Sequence, residues 1–437
     1  MDKLREFMFE ILSFVNKGDV TGYRSDEYSI DFEMDRLKSV ENTSSSAVGL
    51  RVFKDGRVGN SFINSFGVED KDTLLKNVFD TLKFGDKQDF NLPEKQELPD
   101  VKIFDENFYA VTKEILIEKG FELLKRLKKI GKDVKVNIHF SKGVIENHLL
   151  NTGGFEGTYK ESDFSVLLNL TEVEKNGGIL SVSEMDSFNR VDLTELDRMC
   201  DRLEEKYGFA RKKMRVKSGY FPVLFSPEAL SLILEPVEIA ANGKTLYRKI
   251  SVFENRENDI VATDMLTIYD NPLYDFGSGS YPFDDEGVVP RKLTVIEKGV
   301  FKNFIFDLFT ASQLSRESTG HARRSVSSLP SPSFSNIFIE TGSSSFSDML
   351  SSIDYGLLVY SFLGEGMSNI LAGDFSVNVE FGFLVEKGRI RGRVKDVMLA
   401  GNAFDAIKNI KMIENRQYKH GSLYAPHILF DNLSVMG

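Results

Sequence analysis

Apolar residues recur at helical spacing at the start of the chain, where Leu4, Phe7, Met8, Ile11, Leu12 and Val15 share one face of "MDKLREFMFEILSFV". An amphipathic helix is predicted there. The period then changes to two: in "YSIDFEM" (28–34) Tyr28, Ile30, Phe32 and Met34 alternate with polar neighbours, and "AVGLRVFKDGRVGNSFI" (47–63) reads as strand, Asp-Gly turn, strand. That is the pattern of an antiparallel meander. Helical spacing returns at Leu74, Leu75, Val78, Phe79 and Leu82 and in "EILIEKGFELLKRLKKI" (114–130). Strand-like runs follow at 133–140, 143–150, 164–173 and 178–185, with "NTGG" (151–154) as a turn, and a helix from about Asp192 to Ala210 closes this half.

Beyond the basic run "ARKKMRVKSG" (210–219), read as a solvated helix exit, the pattern predicts a strand at 220–225 and a helix opening "LILEPVEIAANGKTLYRKIS" (232–251). A β-rich tract extends to about 307, short helices fall near 308–315, 346–353 and 403–410, and "FLVEKGRIRGRV" (383–394) is a hairpin with a Lys-Gly turn. Helices and strands come in separate runs, so the fold class is α+β and rich in antiparallel sheet. An N-terminal mixed α/β domain is placed at 1–213 and a β-rich C-terminal domain with short helices at 214–437. "STGHARRSVSSLPSPSFSN" (318–336) reads as an exposed loop, the kind of segment that carries binding residues.

Composition removes several functions. Across 437 residues Lys plus Arg is 55 and Asp plus Glu is 66, a net charge of −11, so a nucleic-acid backbone would be repelled over most of the surface. A hydrophobic content of 41% suffices for sizeable cores. The single Cys200 excludes an intrachain disulfide and any multi-cysteine zinc site, and no apolar run approaches the roughly 20 residues of a membrane span. A soluble, cytoplasmic protein is expected.

Of the histidines His139, His148, His321, His420 and His427, none stands four residues from another, so there is no zincin-type helix. His139 and His148 fall in predicted strands, and His321 and His420 in Gly-flanked loops. No Gly-x-Ser-x-Gly elbow, P-loop or dinucleotide fingerprint is present. Cys200 reads as a buried thiol, "FDDEG" (283–287) as a solvated turn rather than a cation site, and "GSGS" (277–280) as a flexible turn. In "LAGDFS" (371–376) Asp374 stands beside Gly373, where backbone can approach a ligand closely.

The ordered series "FDDEGVVPRKLTVIEKGVFKNFIFD", "STGHA", "GLLVYSFLGEGMSNILAGDFS", "GFLVEKGRI" and "AGNAFDAIKNI" resembles the TldD/PmbA family, also labelled modulator of DNA gyrase. "NKGDV" (16–20), the strands of 28–63 and "NTGG" extend the resemblance more weakly into the first half. It implies a two-subunit, zinc-dependent intracellular protease system acting on unfolded or flexible peptides. In that family the TldD-type subunit holds the metal through His-Glu-x-x-x-His and a later Cys, and the TldE/PmbA-type subunit lacks the motif.

Setting "YRKIS" (247–251) against the family's Arg-containing segment without a gap puts the motif on "EPVEIA" (235–240). Glu235 and Ala240 then stand at the two His positions and Pro236 at the general base. His420, before Gly421 and Ser422, stands where the family has Cys, so Glu235 with His420 is a conceivable two-ligand remnant. The paired arginines of "HARRSV" (321–326) are closer to the TldD branch.

The resemblance therefore implies a metal-free TldE/PmbA-type subunit, with no cofactor of its own and zinc in a TldD-like partner. It could form a heterodimer with that partner or a homodimer. Gly320, His321, Gly373, Asp374 and Asn402 are the expected peptide or partner contacts, with tight turns of the fold as their other reading. Two other functions stay open: an autonomous homodimeric peptidase using Glu235 and His420, and a non-catalytic peptide-binding module.

Overall fold

The computed structural model describes residues 3–175, 177–364 and 369–437. Helix α1 (Lys3–Leu12) buries Leu4, Phe7, Met8 and Ile11, as its spacing predicts. Strands β1 (Gly18–Glu33), β2 (Arg36–Lys54) and β3 (Arg57–Ile63) then form the expected meander, turning at Asp55-Gly56, and helix α2 (Val68–Thr81) follows. After helix α3 (Lys113–Leu127) come β4 (Lys135–Asn151), β5 (Glu156–Val173), β6 (Ile179–Phe188) and helix α4 (Leu193–Ala210), capped by the Asp192 side chain. The runs predicted at 133–140 and 143–150 are one 17-residue strand. "SKG" (141–143) resembles a turn, but the β4 backbone stays paired with β1 and β5 straight through it.

These six strands make one antiparallel sheet in the order β3-β2-β1-β4-β5-β6, with β6 on an edge. Alternation gives the sheet two different faces. Val136, Ile138, Phe140, Val166, Leu168 and Leu170 pack under α3 and α4, whereas Asn137, His139, Asn169, Ser181 and Ser183 lie on the other face. Cys200 sits in the packed layer, and burial pushes its thiol up to about 12. That is an inert thiol, as expected.

The remaining chain builds two further sheets and a two-stranded ribbon. Its elements are β7 (Lys213–Met214), β8 (Gly219–Phe225), α5 (Ser231–Ala240), α6 (Gly243–Tyr247), β9 (Ile268–Asp270), β10 (Leu293–Glu297), β11 (Val300–Phe301) and α7 (Leu308–Gln313). They are followed by β12 (Ala322–Arg323), β13 (Ser331–Pro332), β14 (Ile337–Ile339), α8 (Phe346–Ser351), β15 (Tyr355–Leu363), β16 (Asp374–Glu386), β17 (Arg389–Val394) and β18 (Met398–Asn402). The last are α9 (Ala403–Ala406), β19 (Ile410–Ile413), β20 (Tyr418–His420), β21 (Leu423–Ala425) and β22 (Ile428–Met436). Strands β15, β8, β22, β18 and β16 close into a ring, because β16 pairs with β15 as well as β18. The second sheet runs β11-β10-β9-β14-β21-β20.

The tract from 252 to 307 holds less strand than its hydrophobicity predicts. Only the short β9, β10 and β11 are regular, and left-handed Asn255, Asn258 and Phe276 break the remainder into turns. Strand β8 shows how the molecule is stitched. Val223 and Phe225 enter the ring's core with α5, while Leu224 between them enters the core beneath the first sheet. Leu358 of β15 and Leu429 of β22 do the same, so one core spans both sides of the 213/214 boundary, and β7 itself pairs with β17. Burial on both faces explains the unbroken apolar run "GLLVY".

Candidate functional site

Helix α5 begins from a 3-10 turn at Pro227–Leu230 and ends at Ala240, after which Asn242 caps α6 by accepting from the Lys244 N–H. The stretch 232–251 is thus two helices rather than one. Leu232, Ile233, Pro236, Val237 and Ala240 face the core, and Glu235 is exposed. At 100° per residue Ser231, Leu234 and Glu238 fall within about 60° of one another, with Glu235 to the side of them. Those three line a cavity of about 270 Å³, whose other walls are Phe334, Ser335 and Ile337 and the hairpin residues His420, Ser422 and Leu423, with Glu228 at its border. His420 and α5 therefore do meet, but through Glu238; Glu235 is not in the wall.

The hairpin β20–β21 is held from three sides. Leu423 pairs with Ile337 of β14, Asp186 of β6 accepts from Lys419 Nζ and the Gly421 N–H (2.9 Å each), and Gly421 turns with φ +57°. Behind it, Glu414 accepts from the Tyr418 hydroxyl (2.9 Å) and lies 2.7 Å from His427 Nδ1, and the rings of Phe346 and Tyr418 pack on His427. These contacts aim His420 toward the junction of the sheets. A groove of about 400 Å³ adjoins the cavity through Glu228, Ser231 and His420 and runs between Ser181, Ser183 and Met185 of edge strand β6 and Tyr360 and Phe381 of the ring. Lys206 forms its floor, bonding Glu228 (2.8 Å) and lying over the Tyr360 ring.

Burial, then the like charges of Asp270 and Glu235, push the Glu238 carboxyl up to about 8. A folded pKa above the unfolded one means that the folded state holds the extra proton, so stability falls as pH rises from about 4.5 to about 8. Glu238→Gln removes that penalty. It is expected to stabilise the protein by about 1–3 kcal/mol at pH 8.5 and by little at pH 4, read from melting temperatures across that range. A variant no more stable than the parent at pH 8.5 would show that this carboxyl is solvated.

The other predicted contacts separate into two places. His321 is wholly buried: Nε2 lies 2.9 Å from Asp270 Oδ2 and Nδ1 2.9 Å from the Thr319 carbonyl oxygen. Its imidazole thus meets protein on both nitrogens, and Gly320 makes the turn before it, at φ +72°, where a Cβ would lie 2.5 Å from Pro290 Cα. Gly373, Asp374 and Asn402 come together elsewhere. Asn402 caps α9 and donates to Ala372 O and Asp374 Oδ1, while Gly373 is left-handed under the Phe404 ring. Both groups thus have a place in the fold's turns.

The segment 318–336 is not the exposed loop its composition suggests, since Thr319, His321, Ala322, Ser335 and Asn336 are buried. "GSGS" is likewise packed, with Gly279 against Ser335 and Asn336. "FDDEG" is a buried knot rather than a solvated turn. Asp284 accepts from the N–H groups of Glu286, Val288 and Ala322, and Glu286 binds Arg51 of β2 (2.7 Å). Three adjacent acids suggest solvent until Arg51, some 235 positions away in sequence, is known to meet them. The motif register falls on Glu235 and does not mark Glu238, although its spacing to Ser231 on the helical wheel puts it on the same face.

A family model described as the PmbA/TldA metallopeptidase C-terminal domain matches residues 218–437, and one described as PmbA/TldA metallopeptidase domain 1 matches 18–80. An uncharacterised protein of Methanocaldococcus jannaschii is 26% identical over 417 residues, 94% of each chain. A metalloprotease TldD homolog of Buchnera aphidicola is 32% identical over 200 residues, 45% of this chain and 41% of that one. The crystal structure of TldE from Thermococcus kodakarensis superposes with a TM-score of 0.87 at 23% identity, covering 100% of both chains.

Proposed function

The chain belongs to the PmbA/TldD metallopeptidase family, and from that premise we propose that it is a PmbA/TldE-type subunit, without a catalytic metal of its own. It pairs with a TldD-like zinc protease and handles unfolded or flexible peptides in the cytoplasm. The observation that carries this reading is α5 opposite His420. The positions that the resemblance assigns to ligands and base hold an exposed Glu235 and the core residues Pro236 and Ala240.

Metal-assisted hydrolysis needs about three protein ligands, an open position for water and a base. Pro236 and Ala240 supply neither donor nor base. Glu238 and His420 reach the cavity, Glu228 is held by Lys206, and among the described residues no group of three or more His, Cys, Asp or Glu is placed to hold a metal. This donor set does not fit zinc. What remains is a groove beside an open strand edge, suited to holding extended chain while a partner performs the cleavage. Among the described residues no helix is long and apolar enough to cross a membrane.

The test is metal content together with turnover. After zinc repletion and desalting the purified chain is expected to retain less than about a tenth of an equivalent, and to leave a fluorogenic peptide intact. Adding a TldD-like subunit is expected to give cleavage that a chelator abolishes. About one equivalent of zinc, lost on His420→Ala, with cleavage by the chain alone, would establish the autonomous peptidase instead. Peptide retention that leaves the partner's turnover unchanged would establish a binding module.

A further inference from the structure

The cavity between α5 and the β20–β21 tip presents an unusual set of groups to whatever enters it. Glu238 lies in its wall with Asp270 and Glu235 as its charged neighbours, and no hydrogen bond from the described residues holds its carboxyl. Glu228 at the border already has Lys206. The cavity thus presents the Glu238 carboxyl, with no lysine or arginine side chain in its lining.

Two of the three serine hydroxyls that line it already donate elsewhere. Ser335 spends its hydrogen on Asp270 Oδ2, at 2.5 Å, and Ser231 turns its own toward the Glu228 carbonyl oxygen, at 3.4 Å. What both offer inward is lone pairs, which suits a ligand rich in N–H donors and poor in acceptors. The intervening wall is apolar, formed by Leu234, Phe334, Ile337 and Leu423. A carboxyl, hydroxyls that donate elsewhere and an apolar lining together match a methylene stem ending in an ammonium.

Size and access agree. At about 270 Å³ the cavity falls just below the roughly 300 Å³ where small-molecule sites begin, enough for one long side chain. Its mouth at Glu228, Ser231 and His420 is shared with the groove along β6, so a chain lying there can lower a side chain into it.

We propose that this cavity is a side-chain subsite for a primary ammonium, taking a lysine of an extended peptide held in the adjoining groove. The proposal rests on the peptide-handling reading above and adds a preference to it. Burial and the like charges of Asp270 and Glu235 oppose ionisation of the Glu238 carboxyl, and an ammonium beside it would offset them. A metal is a poorer match, since among the described residues no group of three or more His, Cys, Asp or Glu is placed to hold one, and an anion would meet the field of Glu238.

The experiment uses the full chain and a fluorescein-labelled, end-blocked heptapeptide with one central lysine. Three further peptides carry N-acetyl-lysine, norleucine or glutamate at that position, and binding is read by anisotropy. The lysine peptide is expected to bind at least about tenfold more tightly than the acetyl-lysine peptide, as a charge-assisted hydrogen bond implies. Glu238→Gln, checked for folding by its melting temperature, is expected to erase the difference without weakening the norleucine peptide. Equal binding of lysine and acetyl-lysine peptides would overturn the proposal, as would a preference that survives Glu238→Gln. Adding a TldD-like subunit separates the two readings. Turnover raised equally for both peptides defeats the subsite alone, and a lysine preference in binding without any effect on turnover defeats the subunit reading alone.

Discussion

Arg51→Met is expected to cost about 3–5 kcal/mol of stability at pH 7, because it leaves buried Glu286 without its cation and buried Asp19 with Arg324 alone. Arg51 is 1% exposed and binds Asp19 (2.6 Å) and Glu286 (2.7 Å), and Arg324 reaches Asp19 from the C-terminal half. Burial works to raise Asp19, but Arg324 and Arg51 prevail and hold it below the usual carboxylate range. Its pairing therefore contributes stability above its unfolded pKa, and that contribution is lost as pH falls through the lower folded value. Without Arg51, burial acts on Asp19 and Glu286 with less opposition and raises both. The variant then loses stability as pH rises, so its deficit should be larger at pH 8 than at pH 5. Urea unfolding at both values measures this. A deficit under about 1 kcal/mol, or one independent of pH, would mean that water screens the cluster. Adding Asp19→Asn and Glu286→Gln should recover much of the loss, since the cost lies in unpaired charge rather than in lost packing.

Asp270→Ala is expected to be of similar size, about 3–5 kcal/mol, for a different reason. Its carboxylate accepts from His321 Nε2 (2.9 Å), the Ser335 N–H (2.8 Å) and the Ser335 hydroxyl. Removing it leaves buried donors on both residues without partners. Asp270→Asn keeps a polar group of the same shape and should lose roughly half as much. It also removes one of the two like charges acting on Glu238. The fall in stability between pH 4.5 and 8 should therefore be shallower in Asp270→Asn than in the parent. Loss confined to thermal stability, with the pH slope unchanged, would separate Asp270 from the cavity.

The boundary between legible and hidden features follows the range of the interactions involved. The α1 stripe, the Asp55-Gly56 turn, the 151–154 turn and the Lys387-Gly388 hairpin are set by neighbours in sequence, and all were readable. The family's ordered motifs were readable for the same reason. Asp284, Glu286 and His321 read as solvent-facing or loop groups because the partners that bury them lie tens to hundreds of residues away. Strand β4 looked broken because Ser141 is polar, yet its hydroxyl is bonded to Glu27 on the neighbouring strand. The site was half readable. His420 was identified by motif position, whereas Glu238 emerges only once the hairpin tip is seen to face one side of α5.

The core shared by α4 and the ring has a consequence for how the protein is made. The apolar back of the first sheet is complete in sequence by Phe188, yet Leu358, Phe383, Val385 and Leu429 must arrive before that core is filled. At ribosomal rates of about 5–20 residues per second, the nascent chain waits roughly ten to fifty seconds with that surface unfinished. The first half therefore cannot be released from the ribosome's vicinity as a sealed unit. Its completion waits for β22, which pairs with β8 and contributes to both cores with a single strand.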